Sequence, residues 1–68
     1  MDHPRIATDP SVMLGKPVIR GTRIPVDLIV RMVGQGISHE EVLREYPRLI
    51  VDDIRAALTY SADVVFGS

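Results

Sequence analysis

Three cations, Lys16, Arg20 and Arg23, sit close together in the acid-free stretch GKPVIRGTRIPV between Gly15 and Val26. A guanidinium is a planar fork of donors that matches carboxylates and phosphates, so the chemistry this cluster suits is anion recognition. Val18-Ile19-Arg20 and Arg23-Ile24 flank Gly21-Thr22, and this spacing predicts a tight β-hairpin with Gly21 at the first central position of a type II′ turn. The register pairs Ile19 with Ile24 and sets Arg20 opposite Arg23. Like charges facing each other across two strands repel, so the pair calls for an anion. That anion is either a carboxylate, of this chain or a partner, or a nucleic-acid phosphate. Lys16, Arg20, Thr22 and Arg23, with Arg5 outside the hairpin, are the candidate nucleic-acid or partner contacts. A structural role against Asp9, Asp27 or helical carboxylates stands level with them.

No residue set reads as catalytic, and the chain reads as a non-enzyme. His3 lies in the N-terminal tail and His39 at a helix start, where the dipole disfavours its cation; neither has a nucleophile or second ligand beside it. Ser11, Ser38, Ser61 and Ser68 likewise have no partner constellation. Glu40, Glu41 and Glu45 cluster on a short helix and read as a solvated face rather than a metal site. Gly15-Lys16 is not a phosphate loop, because Pro10 stands where the first glycine belongs and Pro17 follows the lysine. No cofactor and no metal are expected.

The elements that position these residues follow from the rest of the chain. Its 68 residues suit one domain, 1–68, near the size at which a single core is marginal. Cysteine is absent, which fits a reducing cytoplasm and leaves association with a second copy as the favoured way to bury more surface. No apolar run approaches the ~18 residues of a membrane span. Net charge is −1, yet residues 1–36 hold five Lys/Arg against three Asp/Glu and residues 37–68 three against six. Any anion-binding surface is therefore expected in the N-terminal half.

Met1 to Pro4 reads as a loose terminus, Arg5 to Thr8 as a short strand closed by Asp9-Pro10, and Ser11 to Leu14 as a loop or one helical turn. Ile6 has to pair with the hairpin or with another copy of the chain. A helix is predicted from Pro25, at its first position, to Gln35, with Asp27 and Arg31 spaced to pair and Gly36 as its left-handed terminator. It is apolar on most sides, which again points to a partner chain. Ser38 and Glu41 make a capping box, with Ile37 and Val42 as staple, for a helix from His39 to Tyr46 stopped by Pro47. A third helix runs from Asp52 to about Phe66 behind the poorly capping Ile50, its inner face Ile54, Ala57, Leu58, Ser61, Ala62 and Val65. Its outward residues, Asp52, Asp53, Arg55, Thr59 and Asp63, hold three acids and one base, a poor match to phosphate. On this chemistry a scaffold role outweighs DNA reading by the last helix. The fold class is mainly α: a three-helix, helix-turn-helix domain of homeodomain-like or winged-helix-like type (25–66) with an N-terminal strand and β-hairpin (5–24).

The block GKPVIRGTRIPVDLIV, the GIS, EEVL and EYP run and IRAALTYSADVV together resemble the bacterial domain of unknown function four-three-three family, over Ile6 to Val65. The matching positions are Gly15, Pro17, Ile19 to Pro25, Tyr46, Pro47, Leu49, Ile54, Ala57, Leu58 and Tyr60. Ile50 and Val51 depart from the pattern, where a Thr or Ser usually starts the last helix. That family is similar to homeodomain-like helix-turn-helix domains, and its members commonly sit beside a gene for a PIN-like ribonuclease. The resemblance implies an antitoxin: a small cytoplasmic homodimer, or higher oligomer, that restrains a PIN-like nuclease toxin and binds operator DNA to repress its own operon. The alternative is a helix-turn-helix adaptor that binds protein without DNA affinity.

Overall fold

In the computed structural model of the chain, which describes residues 3–11 and 13–66, a two-residue strand β1 (Ile6–Ala7) pairs antiparallel with β2 (Val18–Ile19), Ile6 opposite Ile19 and Ala7 opposite Val18. Ile6 thus finds its partner within the chain. On its other side Val18 bridges Pro25, and the Ile19 N–H donates to the Ile24 carbonyl at 3.0 Å, the pairing the sequence implies. Three helices follow: α1 (Val26–Gly34), α2 (His39–Glu45) and α3 (Val51–Phe66). The expected mainly helical domain, three helices behind a small N-terminal sheet, is the one formed.

The turn differs from the expected type II′. The Thr22 N–H closes onto the Ile19 carbonyl at 3.0 Å with Gly21 third in the turn at φ +83°, while Arg20 keeps a negative φ. That combination is type II, which needs glycine at the third position. It places Arg20 inside the turn, so Arg20 and Arg23 do not face each other as a strand pair.

Each helix is started and stopped locally. Pro25 is the N-cap of α1 rather than its first helical residue, with φ −68° and an extended ψ of 143°. Gly36, at φ +88°, ends α1 in a Schellman motif: its N–H donates to Val33 and that of Ile37 to Met32. Ser38 Oγ accepts from the Glu41 N–H at 3.2 Å and caps α2. The start of α3 is tied from behind, because Asp53 reaches back to accept the Ile50 N–H at 3.0 Å. An acid three residues inside a helix takes up an otherwise orphaned donor in this way, the returning half of a capping box.

Ile19, Ile29, Val42 and Ile54 are the largest fully enclosed side chains, joined in the core by Ile6, Val26, Leu49 and Ala57. Each buried Val, Leu or Ile contributes about 1.5–3 kcal/mol. α1 packs chiefly on α3. The face of α3 is shifted from expectation: Asp53 is buried at 6% exposure and Ala62 is exposed, while the Val65 side chain lies outside the described residues. Pro4 and His3 are tied down, the carbonyl of His3 accepting from the Ile6 N–H at 3.0 Å, so the loose terminus expected at 1–4 does not extend to them. Met1 and Asp2 lie outside the described residues.

Candidate functional site

The structure distributes the five candidate residues rather than focusing them. Arg5 Nη1 donates to Asp53 Oδ1 at 3.2 Å, and its Nη2 lies 3.8 Å from Asp52 Oδ2. Arg20 folds back over β1, donating from Nε to the Pro4 carbonyl at 2.7 Å and from Nη2 to the Ile6 carbonyl at 3.1 Å. In place of the anion the hairpin arginines call for, Arg20 finds two neutral backbone carbonyls. Thr22 Oγ1 donates to the Ile19 carbonyl at 2.7 Å and accepts the Ile24 N–H at 3.0 Å, which locks the turn. Lys16 Nζ stands 3.7 Å from Asp27 Oδ2 in an open pair, so Asp27 turns to Lys16 rather than to Arg31. Arg23 alone of the five has no hydrogen bond or ion pair among the described residues.

Arg23 has a companion that the sequence did not single out. With Arg48, from the turn between α2 and α3, it lines an open groove of about 530 Å³ over Ala7, Val18 and Gly21. Arg48 is likewise without an ion pair among the described residues. Asp9 edges the same groove, its carboxyl held below its ordinary value by the backbone N–H and then the hydroxyl of Ser11, so it stays charged beside the arginines. The signal for Arg48 was present in the residues flanking the Tyr46-Pro47 turn, but no spacing rule connects it to Arg23, twenty-five positions away.

The acids of α3 are also not where a helical projection puts them. Asp53 is enclosed, and Asp52 is within reach of Arg5. Asp63 Oδ2 lies 3.0 Å from His3 Nε2, an ion-pair distance for a protonated ring, although the geometry is not that of a hydrogen bond. The His3 ring also stands edge-on to Tyr60, 5.2 Å between centroids. His3 is therefore a packed residue on α3 and not part of a tail. His39 is exposed, and no three His, Asp or Glu side chains among the described residues converge to hold a metal ion.

A second groove, of about 490 Å³, opens between α1 and α2. Leu28, Met32, Ile37 and Tyr46 form its half-buried floor, and Glu41, Arg44 and Glu45 its charged rim. Leu28 and Met32 are one helical turn apart, the Schellman turn brings Ile37 beside Met32, and the end of α2 supplies Tyr46.

Three short helices behind a two-stranded sheet, with a signature turn between β2 and α1, define a class of small helical domain. The chain belongs to the family described as "Protein of unknown function (DUF433)", which it matches over residues 6–61. It is similar to a crystal structure of a DUF433 member protein from Anabaena variabilis at 41% identity and a TM-score of 0.77, over 82% of this chain and 55% of that one. It is 38% identical over 56 residues to the uncharacterized protein y4eO of Sinorhizobium fredii, covering 82% of this chain and 25% of that protein. An uncharacterized protein of Archaeoglobus fulgidus is 64% identical over 28 residues, covering 41% of this chain and 78% of its own length. The chain spans a quarter of the Sinorhizobium relative's length and about half of the crystallised chain. Among the described residues no helix is long and apolar enough to cross a membrane.

Proposed function

We propose that this domain is an antitoxin-like binding protein that restrains a PIN-like ribonuclease through its folded surface and touches operator DNA as a second role. The observation that carries the protein-binding half is the groove between α1 and α2. A floor holding a methionine and a tyrosine, ringed by charged side chains, has the make-up of a protein interface: adaptable apolar contact inside, polar contacts at the rim. The choice of a nuclease as occupant rests on the family resemblance. In this reading the domain works in the cytoplasm as a homodimer. The exposed apolar side chains of Leu14, Ile50 and Val51 support self-association.

The test is inhibition of a PIN-like ribonuclease encoded beside the gene for this protein. The wild-type domain at stoichiometric concentration is expected to suppress RNA cleavage, and Met32→Glu, which puts a charge on the half-buried groove floor, to lose that effect while keeping its helical circular dichroism. No neighbouring nuclease, or cleavage unchanged by the wild-type domain, overturns the reading and leaves the adaptor without DNA affinity as the alternative.

A further inference from the structure

From the conformation of Leu14 and the contacts of the N-terminal segment, we infer that two copies of this chain pair by exchanging that segment, each laying its β1 against the β2 and α3 of the other. The inference rests on the homodimer part of the reading above and names how the two copies hold each other. Leu14 and Gly15 turn the chain back between β1 and β2, and both are left-handed, at φ 57° and 83°. Glycine is at ease there. Leucine is not, and because its side chain is exposed, no burial offsets the cost. A strained connection is relieved by opening, and opening at Leu14 frees β1 for a second copy.

What the segment leaves behind, that second copy supplies in kind. The contacts that hold the segment to the rest of the domain all reach residues beyond the turn. Ile6 lies opposite Ile19, Arg5 holds Asp53, Arg20 holds the Pro4 and Ile6 carbonyls, and the His3 ring stands edge-on to Tyr60. Exchange re-forms each of them between chains, so it sacrifices none and relaxes one strained turn in each copy. Drawn straight, the ten residues between Ala7 and Val18 span about 33 Å. The longest extent of the domain is 28 Å, so a released β1 reaches a neighbour. Simple edge-to-edge pairing of two β1 strands is closed off, because the Ile6 N–H is bonded to His3 and its carbonyl to Arg20.

The chain has no cysteine, so an introduced thiol pair reports which segments lie side by side. Ala7 and Val18 face each other in the antiparallel register, at a spacing a disulfide spans. The experiment refolds Ala7→Cys/Val18→Cys from urea at high concentration, isolates the dimer by gel filtration, oxidises it and runs it on a non-reducing denaturing gel. Covalently joined pairs of chains are expected. Single chains with an internal link overturn the exchange and leave the homodimer standing. A wild-type chain that is still monomeric at millimolar concentration overturns both.

Two variants without cysteine test the same inference by sedimentation equilibrium. Leu14→Gly relaxes the turn of the closed chain, once per copy, and is expected to weaken association roughly 5–30-fold. Leu14→Val, branched at Cβ, is worse placed in the left-handed region and is expected to tighten association, an outcome that trimming an apolar contact does not produce. Association indifferent to both substitutions, or weakened by both, overturns the exchange.

Discussion

Arg5 Nη1 donates to Asp53 Oδ1 at 3.2 Å while the other oxygen of that carboxylate accepts the Ile50 N–H at 3.0 Å, so one buried acid joins the N-terminal strand to the start of α3. Removing either partner leaves a different debt. Asp53→Ala loses both bonds and is expected to cost about 2–3 kcal/mol. Arg5→Ala leaves the buried carboxylate with one bond and should cost about 1–3 kcal/mol; the Arg5 side chain is itself 44% exposed, which screens the charge and favours the low end. Asp52→Ala, in a 3.8 Å exposed pair, is expected to stay within about 0.5 kcal/mol. Urea denaturation of the three variants checks the order.

Thr22 separates structural from binding roles in the hairpin. Its hydroxyl is both donor to Ile19 and acceptor for Ile24, and Thr22→Val keeps the shape while leaving the Ile24 N–H without its partner. A loss of about 1–2 kcal/mol in the same denaturation assay is expected, with Thr22→Ser losing less.

Leu14 is a non-glycine residue in the left-handed region, φ 57° and ψ 35°, and its side chain is 97% exposed. An L-residue loses about 1–2 kcal/mol there and gains nothing back from burial. Leu14→Gly is expected to raise stability by about 0.5–1 kcal/mol, the greater freedom of glycine in the unfolded chain offsetting part of the relief. Leu14→Val, branched at Cβ, should lower it. Thermal melts decide both.

Ile50 precedes α3 and is half exposed, so a hydroxyl there removes little burial and supplies an acceptor to the first turn. Ile50→Thr is expected to add about 0.5–1 kcal/mol. In a domain of this size that moves the melting temperature up by roughly 2–8 °C. An unchanged or lower Tm would contradict Ile50 as the cap.

The local grammar of the chain was legible. Ser38 and Glu41, Gly36, Pro47 and the Gly21 turn each announce a boundary, because capping and left-handed φ are matters of a few adjacent residues. What was not legible is whatever depends on segments far apart. Arg5 meets Asp53 across forty-eight positions, and His3 meets Asp63 across sixty. Read from the helix alone, Asp53 and Asp63 are surface charges; the N-terminal segment lying over α3 makes one a buried cap and the other a packed neighbour of His3. The same distance hid Arg48 from Arg23. The turn type was missed for a more local reason, since Gly21 satisfies the positive φ of either turn and only the hydrogen bond from Thr22 to Ile19 distinguishes them.

The contacts of His3 and Arg5 with α3 also set an order of events. They close the longest loops among the described residues, so they have the largest entropy of closure to overcome, and the contacts are themselves polar, with Ile6 as the buried apolar anchor between them. In such a domain this strap is the segment that opens first, by a fluctuation well short of global unfolding, and amide exchange near Ile6 and at Ile50 should outpace that at Ile29 or Ile54. Each opening releases Asp52, Asp53 and Asp63 from the N-terminal segment, uncovers the buried Asp53 and makes the surface of α3 more acidic. The negative charge that α3 shows is therefore a dynamic quantity, held down by a strap whose Arg5 ion pairs added salt loosens.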